Sequence, residues 1–405
     1  MTTKSDHQPR PLDHVRVLEL GQFIAGPFAG TLLAYFGAEC IKVEPPGKGD
    51  QSREWRVLDD TGTSFWWRSL GRNKKSVTIN LREPDGRDLV RQLAADTDVL
   101  IENFRPGKME EWGLGPKDLE AKNPRLIYTR ISGYGQSGPY ASRAGFASAC
   151  EAIGGLRYIT GFPGETPVRP NLSLGDSLAG LHAAFGILLA LIERNSNEDA
   201  SGQIIDVAIY EAVFNMLESV VPEYTGAGVI REPSGSTITG AVPSNTYLCR
   251  DGHYVVIGGN ADSIFQRLMR TAGRPEMAED PRFADNTGRV AHGREIDDAI
   301  GAWTATLDSK EVLEELVEAS VPAGPIYTVE DMMQDPHFRS RGLFERVEVN
   351  GKPLEIPALT PKLSATPGRT DWAGTDAGSH NSEILGARLG LTDEELDDLR
   401  QSGVI

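Results

Sequence analysis

The run "HVRVLEL" at residues 14–20, with "PFAGTLLAYFGA" at 27–38 and "ECIKVEP" at 39–45 after it, decides the fold. The outer two are short, apolar and partly β-branched, which is strand-like, while the middle one has the length and small-residue content of a helix packed closely on its neighbours. Strand, helix, strand is a parallel βαβ unit, because a parallel pair needs a long crossover. The rhythm continues: "SVTINL" at 76–81 is extended, "EPDGRDLVRQLAADT" at 83–97 helical, and "DVLIENF" at 98–104 and "RLIYTRISGYG" at 125–135 extended again. The expected class is α/β, a parallel sheet with helices on its faces. Ligands in such sheets bind beyond the carboxyl ends of the strands. There the chain carries "GQFIAGPFAG" (21–30), "ENFRPG" (102–107) and "SGYGQSGPY" (132–140).

At 405 residues the chain exceeds what one hydrophobic core usually serves. The stretch "GAGVIREPSGSTITGAVPS" (226–244), rich in Gly, Pro, Ser and Thr, marks a boundary. Beyond it "NTYLCRDGHYVVIGG" (245–259) is a hairpin turning at Asp251 and Gly252, with helical "SIFQRLMRTAG" and "EIDDAIGAWTATL" behind it. A second hairpin turns at Asn350 and Gly351, and "TDEELDDLRQSG" (392–403) is an acidic terminal helix. The expected organisation is a large Rossmann-like domain at 12–225, a small α+β domain at 241–327, and a C-terminal segment at 340–405 that returns to the large domain.

A formal charge of −17 argues against nucleic acid as a partner, since that footprint is a concentrated basic surface. The three cysteines, Cys40, Cys150 and Cys249, have neither disulfide nor zinc spacing, which fits a reducing compartment. The N-terminus lacks an apolar signal core, so the expected address is the cytoplasm. From Leu178 to Ile192 the chain is mostly apolar, but His182 and Gly186 interrupt a run shorter than a membrane span, and a buried helix is expected.

"GYGQSG" (133–138) matches G-x-G-x-x-G, yet Pro139 follows at once and the motif is not on the first strand, so a turn-rich substrate loop is the better reading. No histidine pair, H-E-x-x-H or C-x-x-C supports a metal site, and G-x-S-x-G is absent. His182, six residues past Asp176, is read as a core or helix-interface histidine. Asp176 itself opens the apolar helix in "NLSLGDSLAG" (171–180), where an acid is expected simply as a helix cap or dipole partner. Gly258 and Gly259, ending a strand, mark either a bend or a close backbone approach to a reacting group.

Taken together in one order, "VLELGQFIAGPFAGTLLAYFGAECIKVEPPGKGD", "GRNKKSVTINL", "TDVLIENFRPG", "NPRLIYTRISGYGQSGPY", "LGDSLAGLHAAFGILLAL" and the later "GGN" resemble the class III CoA-transferases across nearly the whole chain. The resemblance implies that Asp176 is a nucleophile that attacks an acyl-CoA, passing through an aspartyl anhydride and an aspartyl-CoA thioester. It implies that Gly258 and Gly259 form a glycine loop shielding those intermediates. It assigns coenzyme A, as the acyl-CoA substrate and with no tightly bound cofactor, to Ala25, Ile79, Arg82, Asn103 and Phe104. Pro45 and Glu111 stand where formyl-CoA transferase uses arginines, and Ala144 where it uses a lysine, so Arg105 is the substitute cation. It further implies a dimer of interlocked rings, with a hetero-oligomer as the variant form, and no membrane partner.

Within that group the approach "VRPNLSLGDS" points to succinyl-CoA as donor and a dicarboxylate as acceptor. Arg169 is then the candidate partner for a second carboxylate, against the plain reading of an exposed loop cation. Phe146 replaces a tyrosine of the oxalate-handling enzymes and implies a less polar substrate pocket. Two other functions compete: an α-methylacyl-CoA racemase-type isomerase and a non-catalytic subunit of a two-chain transferase. The racemase motif "GHD" is "GFA" here, Gly145, Phe146 and Ala147, which lacks the histidine base.

Overall fold

In the computed structural model, which describes residues 8–197 and 199–405, the opening run forms strand β1 (Arg16–Glu19), a helix over Ala25–Tyr35 and strand β2 (Glu39–Glu44). Strands β3 (Lys74–Thr78), β4 (Val99–Glu102), β5 (Ile127–Ser132) and β6 (Ile204–Ala208) complete a six-stranded sheet in the order β3-β2-β1-β4-β5-β6. Every neighbouring pair is parallel. The chain winds outward from β1 to β3 and then starts again on the far side with β4. The reversal between β1 and β4 opens the crevice where such sheets bind ligands.

One difference from the sequence expectation has a physical cause, and a second is an added strand. β3 starts at Lys74, earlier than "SVTINL" indicates, because that lysine is buried: its Nζ lies 2.7 Å from Glu19 Oε2 and donates to Pro27 O at 2.6 Å. An ion pair admits to the core a residue type that otherwise marks the surface. β6, in "IIDVA", goes beyond the strands read from sequence.

One face of the sheet is covered by the helices Ala25–Tyr35 and Leu174–Ser196, with Val17, Ala29, Leu33, Ile101, Ala183 and Ile187 in a common core. The two helices touch where Gly180 meets Ala25: a Cβ on Gly180 would stand 2.7 Å from the Ala25 carbonyl oxygen. The opposite face buries Leu18, Ile41, Val43, Leu89 and Leu93 with Leu396 and Val404 from the far end of the chain.

The expectation of a buried helix around 178–192 needs correction. Ala179, Ala183, Ile187 and Ala190 are buried, but Leu181, Phe185, Leu188, Leu189 and Ile192 are exposed along the other side. The helix runs for 23 residues and is long and apolar enough, by length and composition alone, to cross a membrane. The apolar surplus is a second face, which this chain leaves uncovered.

The chain divides into two units. The first runs through Leu156 and includes Pro170–Glu218 and Arg339–Ile405; the second is Arg157–Arg169 with Ser219–Phe338. Residues 157–169 and 219–225 thus group apart from the rest of the 12–225 span. Within the second unit β7 (Ser244–Leu248) and β8 (Tyr254–Gly258) form the antiparallel hairpin read from sequence, turning at Gly252 with φ +81°, and β9 (Ala323–Pro325) adds a third strand. Helices Asp262–Thr271, Gly293–Thr304 and Ser309–Glu318 close a core around Val255, Ile257, Phe265, Ile296 and Leu316. In the first unit, β10 (Phe344–Val349) and β11 (Lys352–Pro357) form the second hairpin, with Asn350 and Gly351 both at positive φ as a tight hairpin turn requires.

Candidate active site

In the first unit, a cavity of about 1180 Å³ opens at the carboxyl ends of four strands. Leu20 and Gln22 reach it from β1, Val43 to Pro46 from β2, Ile79 to Arg82 from β3, and Phe104 to Pro106 from β4. Four of the six residues assigned to coenzyme A, Ile79, Arg82, Phe104 and Arg105, line it. Pro45 and Glu111 line it too.

The sequence reading did not single out Lys108 and Trp112, which also belong to this wall. Phe104 meets Trp112 edge to face at 5.2 Å, and the Lys108 ammonium sits 5.0 Å over the Trp112 ring while pairing with Glu111 at 2.7 Å. Only Lys108–Glu111 is helical, and Gly107 at φ +86° turns the chain just before it, so the fold of this loop rather than a helix period brings Phe104 to Trp112. Gly403 completes the wall, and Val404 O accepts from the Asn80 N–H at 2.7 Å, a contact no local pattern announces. Arg82 and Arg105 are exposed at the cavity, and neither has a carboxylate within ion-pair distance among the described residues.

The other two assigned positions lie behind the wall. Ala25 is buried at the head of its helix. Asn103 spends both ends of its amide on one residue: Oδ1 accepts from the Gln22 N–H at 2.8 Å and Nδ2 donates to the Gln22 carbonyl at 2.7 Å.

Asp176 occupies the third position of the helix Leu174–Ser196, in its first turn, with Ser173 at the N-cap position. It is half-buried. The positive end of the helix dipole favours a carboxylate in its charged form there. Next to it, the Gly175 N–H donates to the buried Glu151 at 3.0 Å, and a Cβ on Gly175 would crowd Glu151 Cγ at 3.1 Å. Glu151 and Cys150 come from the helix Ala147–Ile153, whose N-cap residue is the exposed Phe146. Burial pushes the Cys150 thiol up to about 11; the Asp176 and Glu151 charges add to this, and a hydrogen bond with Tyr134 opposes it. At neutral pH Cys150 is therefore a thiol rather than a competing thiolate.

A row of rings borders this corner. Phe23 stands 6.2 Å from Phe146 and 5.3 Å from Trp55, which in turn is 6.2 Å from Trp66. His182 is half-buried, with Nδ1 2.8 Å from Leu178 O and Nε2 3.2 Å from Asn215 Nδ2, the helix-interface role expected of it. The loop carrying "GYGQSG" is held by Asp206, which accepts from the Gln136 N–H at 2.9 Å. Among the described residues no group of three or more His, Cys, Asp or Glu side chains has an arrangement able to hold a metal ion.

Arg169 and the glycine pair belong to the second unit. Arg169 is exposed. The Gly258 N–H donates to Pro322 O and the Gly259 N–H to Pro243 O, at 2.9 and 2.8 Å. A Cβ on Gly259 would press on Leu268 at 2.7 Å, whereas one on Gly258 would meet nothing within 4 Å. Packing explains the second glycine and leaves the first without a reason inside its own unit.

Comparisons with known proteins agree with one another. The profile described as CoA-transferase family III matches residues 12–381. The chain is 50% identical to the succinyl-CoA–D-citramalate CoA-transferase of Chloroflexus aurantiacus, over 99% of this chain and 100% of that protein. It is 42% identical to the succinyl-CoA–L-malate CoA-transferase alpha subunit of the same species, over 100% and 95%. The crystal structure of a CAIB/BAIF family protein from Brucella suis superposes with a TM-score of 0.83 at 34% identity, covering 94% of this chain and all of that one. With sequence likeness along almost its full length and a matching fold, the chain belongs to CoA-transferase family III and is an enzyme of CoA transfer.

Proposed function

We propose that this enzyme moves CoA from succinyl-CoA to a dicarboxylic acid, with Asp176 as the group that carries first the acyl chain and then CoA. The observation that carries this reading is the position of the half-buried Asp176 in the first turn of its helix, where the positive end of the dipole favours the charged form that a nucleophilic carboxylate needs. Its carboxylate oxygen attacks the thioester carbonyl and CoA thiolate leaves, giving an aspartyl succinyl anhydride. The thiolate returns to the aspartyl carbonyl, freeing succinate and leaving an aspartyl-CoA thioester. The acceptor carboxylate then attacks that thioester, expelling thiolate and forming a second anhydride. Thiolate attack on the acceptor's carbonyl releases the new acyl-CoA and regenerates Asp176.

In this reading the cavity takes the CoA moiety. Arg82 and Arg105 meet phosphate, and Phe104 and Trp112 meet the adenine or the pantetheine arm. Ala25 supplies backbone at the head of its helix, and Asn103 holds the loop beside it. Gly258 and Gly259 cover the anhydrides against water. Phe146 borders the acyl group and Arg169 is its second-carboxylate partner. The choice of donor and acceptor class is supported by the two Chloroflexus relatives, whose names pair succinyl-CoA with D-citramalate and L-malate. A dimer with a second copy of the chain is supported by the uncovered apolar face of the Asp176 helix.

The test is Asp176→Ala assayed with succinyl-CoA and a panel of mono- and dicarboxylates, the products being identified by mass. Transfer should vanish while CoA binding and folding persist. Hydroxylamine added during turnover of the unaltered enzyme should mark Asp176 as a hydroxamate. Turnover in the variant removes the nucleophile, and wild-type turnover only with monocarboxylates removes the acceptor class.

A further inference from the structure

Residues 21–23 form the turn between β1 and its helix, and four successive backbone groups in this turn are held by three side chains. Lys42 Nζ donates to Gly21 O. Asn103 takes both the N–H and the carbonyl of Gln22. Asp50 Oδ1 accepts from the Phe23 N–H at 3.2 Å. Two of the three holders are themselves locked. Lys42 lies 3.0 Å from Asp50 and 3.1 Å from Glu19, all fully buried. Asp50 Oδ1 also accepts from the Ser52 N–H and hydroxyl, at 2.9 and 2.7 Å. The fit leaves no slack at Gly21, where a Cβ would stand 3.2 Å from Asn103 Oδ1.

Two features argue that this arrangement does more than hold the sheet together. Buried ion pairs are expensive, and apolar side chains of similar volume hold a core as well or better. Phe23 is also kept at φ +65°, a left-handed conformation that a residue with a β-carbon adopts only when its surroundings impose it. The turn so fixed reaches in two directions. Gln22 lines the cavity. Phe23 sets its ring against Phe146, at the head of the helix whose Cys150 feels the Asp176 charge.

We propose that Asn103, Asp50 and Lys42 are positioning residues for acyl transfer. By fixing residues 21–23 they set the distance between bound CoA in the cavity and the reacting corner at Asp176. This rests on the function proposed above. It gives Asn103 a role different from direct contact with CoA: it acts through the Gln22 backbone.

The test compares Asn103→Ala, Asn103→Asp and Asp50→Asn with the unaltered enzyme. For each, the single-turnover transfer rate from saturating succinyl-CoA is measured per folded molecule, and the Kd for free CoA by calorimetry. A misplacement near 1 Å predicts a rate loss of about 100-fold for Asn103→Ala and about tenfold for Asp50→Asn, with Kd within about threefold of the original. Asn103→Asp, which keeps the acceptor for the Gln22 N–H, should recover part of the loss. Should Asn103→Ala not fold, the other two carry the same comparison. Rates per folded molecule within about twofold in every folded variant overturn the proposal, as does a Kd raised about tenfold with an unchanged saturated rate, the mark of a direct CoA contact. An unaltered enzyme without transfer overturns the proposed function and this proposal together, whereas transfer in the variants at the unaltered rate overturns this one alone.

Discussion

The buried carboxylate of Glu151 accepts the Gly175 N–H at 3.0 Å, so the residue just before Asp176 is tied to the neighbouring helix Ala147–Ile153. Glu151→Ala should therefore strand a buried donor and cost about 1–3 kcal/mol of stability. It should also lower transfer more than stability alone accounts for, because the turn that presents Asp176 loses its anchor. Urea melts alongside turnover per folded molecule separate the two effects. Gly175→Ala should show the same pattern, since its new Cβ crowds Glu151 at 3.1 Å.

Arg82→Ala and Arg105→Ala should each weaken CoA binding about three- to tenfold at low salt, an ordinary yield for an exposed cation meeting phosphate. The difference from the unaltered enzyme should shrink at high salt. Titrations of CoA at two ionic strengths check this. Dephospho-CoA, lacking one phosphate, should lose sensitivity to whichever arginine meets that group.

The pH dependence of stability should carry the mark of Glu102. Burial pushes its carboxyl up to about 7, although Arg130 lies 2.9 Å away and the Phe104 N–H donates to it at 2.7 Å. A carboxyl raised by folding favours the native state fully below its unfolded value, and that contribution is lost as pH rises through about 7. Relative to the unaltered enzyme, Glu102→Gln should therefore gain stability between pH 5 and pH 8, on the order of 3 kcal/mol. Denaturant melts of both proteins across that range give the slope. Parallel curves would assign Glu102 an ordinary titration.

At the glycine pair the expected outcomes divide. Gly259→Ala should destabilise the second unit, because its Cβ presses on Leu268 at 2.7 Å. Gly258→Ala has open space and should leave the melting temperature within about 2 °C, as harmless surface substitutions do. If Gly258 covers a reaction intermediate, the same change should still cut turnover at least about tenfold, because a Cβ obstructs close backbone approach. Full activity in Gly258→Ala would withdraw that role.

Much of the first unit was legible because its signals are local. The alternation of strand and helix from His14 onward, the turn at Asn350 and Gly351, and the loops after β1, β4 and β5 each follow from a few adjacent residues. What escaped depends on distant partners. Lys74 looks like surface until Glu19 and Pro27 O receive it. Gly403 enters the cavity wall only because the chain's last turn docks on Asn80. Asn103, assigned through resemblance to CoA, is seen to hold Gln22 only once β1 and β4 lie side by side. Lys108 and Trp112 escaped for the same reason, since the turn at Gly107 and not a helix period brings them to Phe104.

The helix that begins beside Asp176 continues for 23 residues, about 35 Å of stiff rod. Its far stretch shows Leu181, Phe185, Leu188, Leu189 and Ile192 to the outside. Whatever body settles on that greasy ridge leans on the same lever that holds the carboxylate. Under the proposed function, assembly and chemistry would share one mechanical part, and dilution should be felt at the acid as well as at the seam.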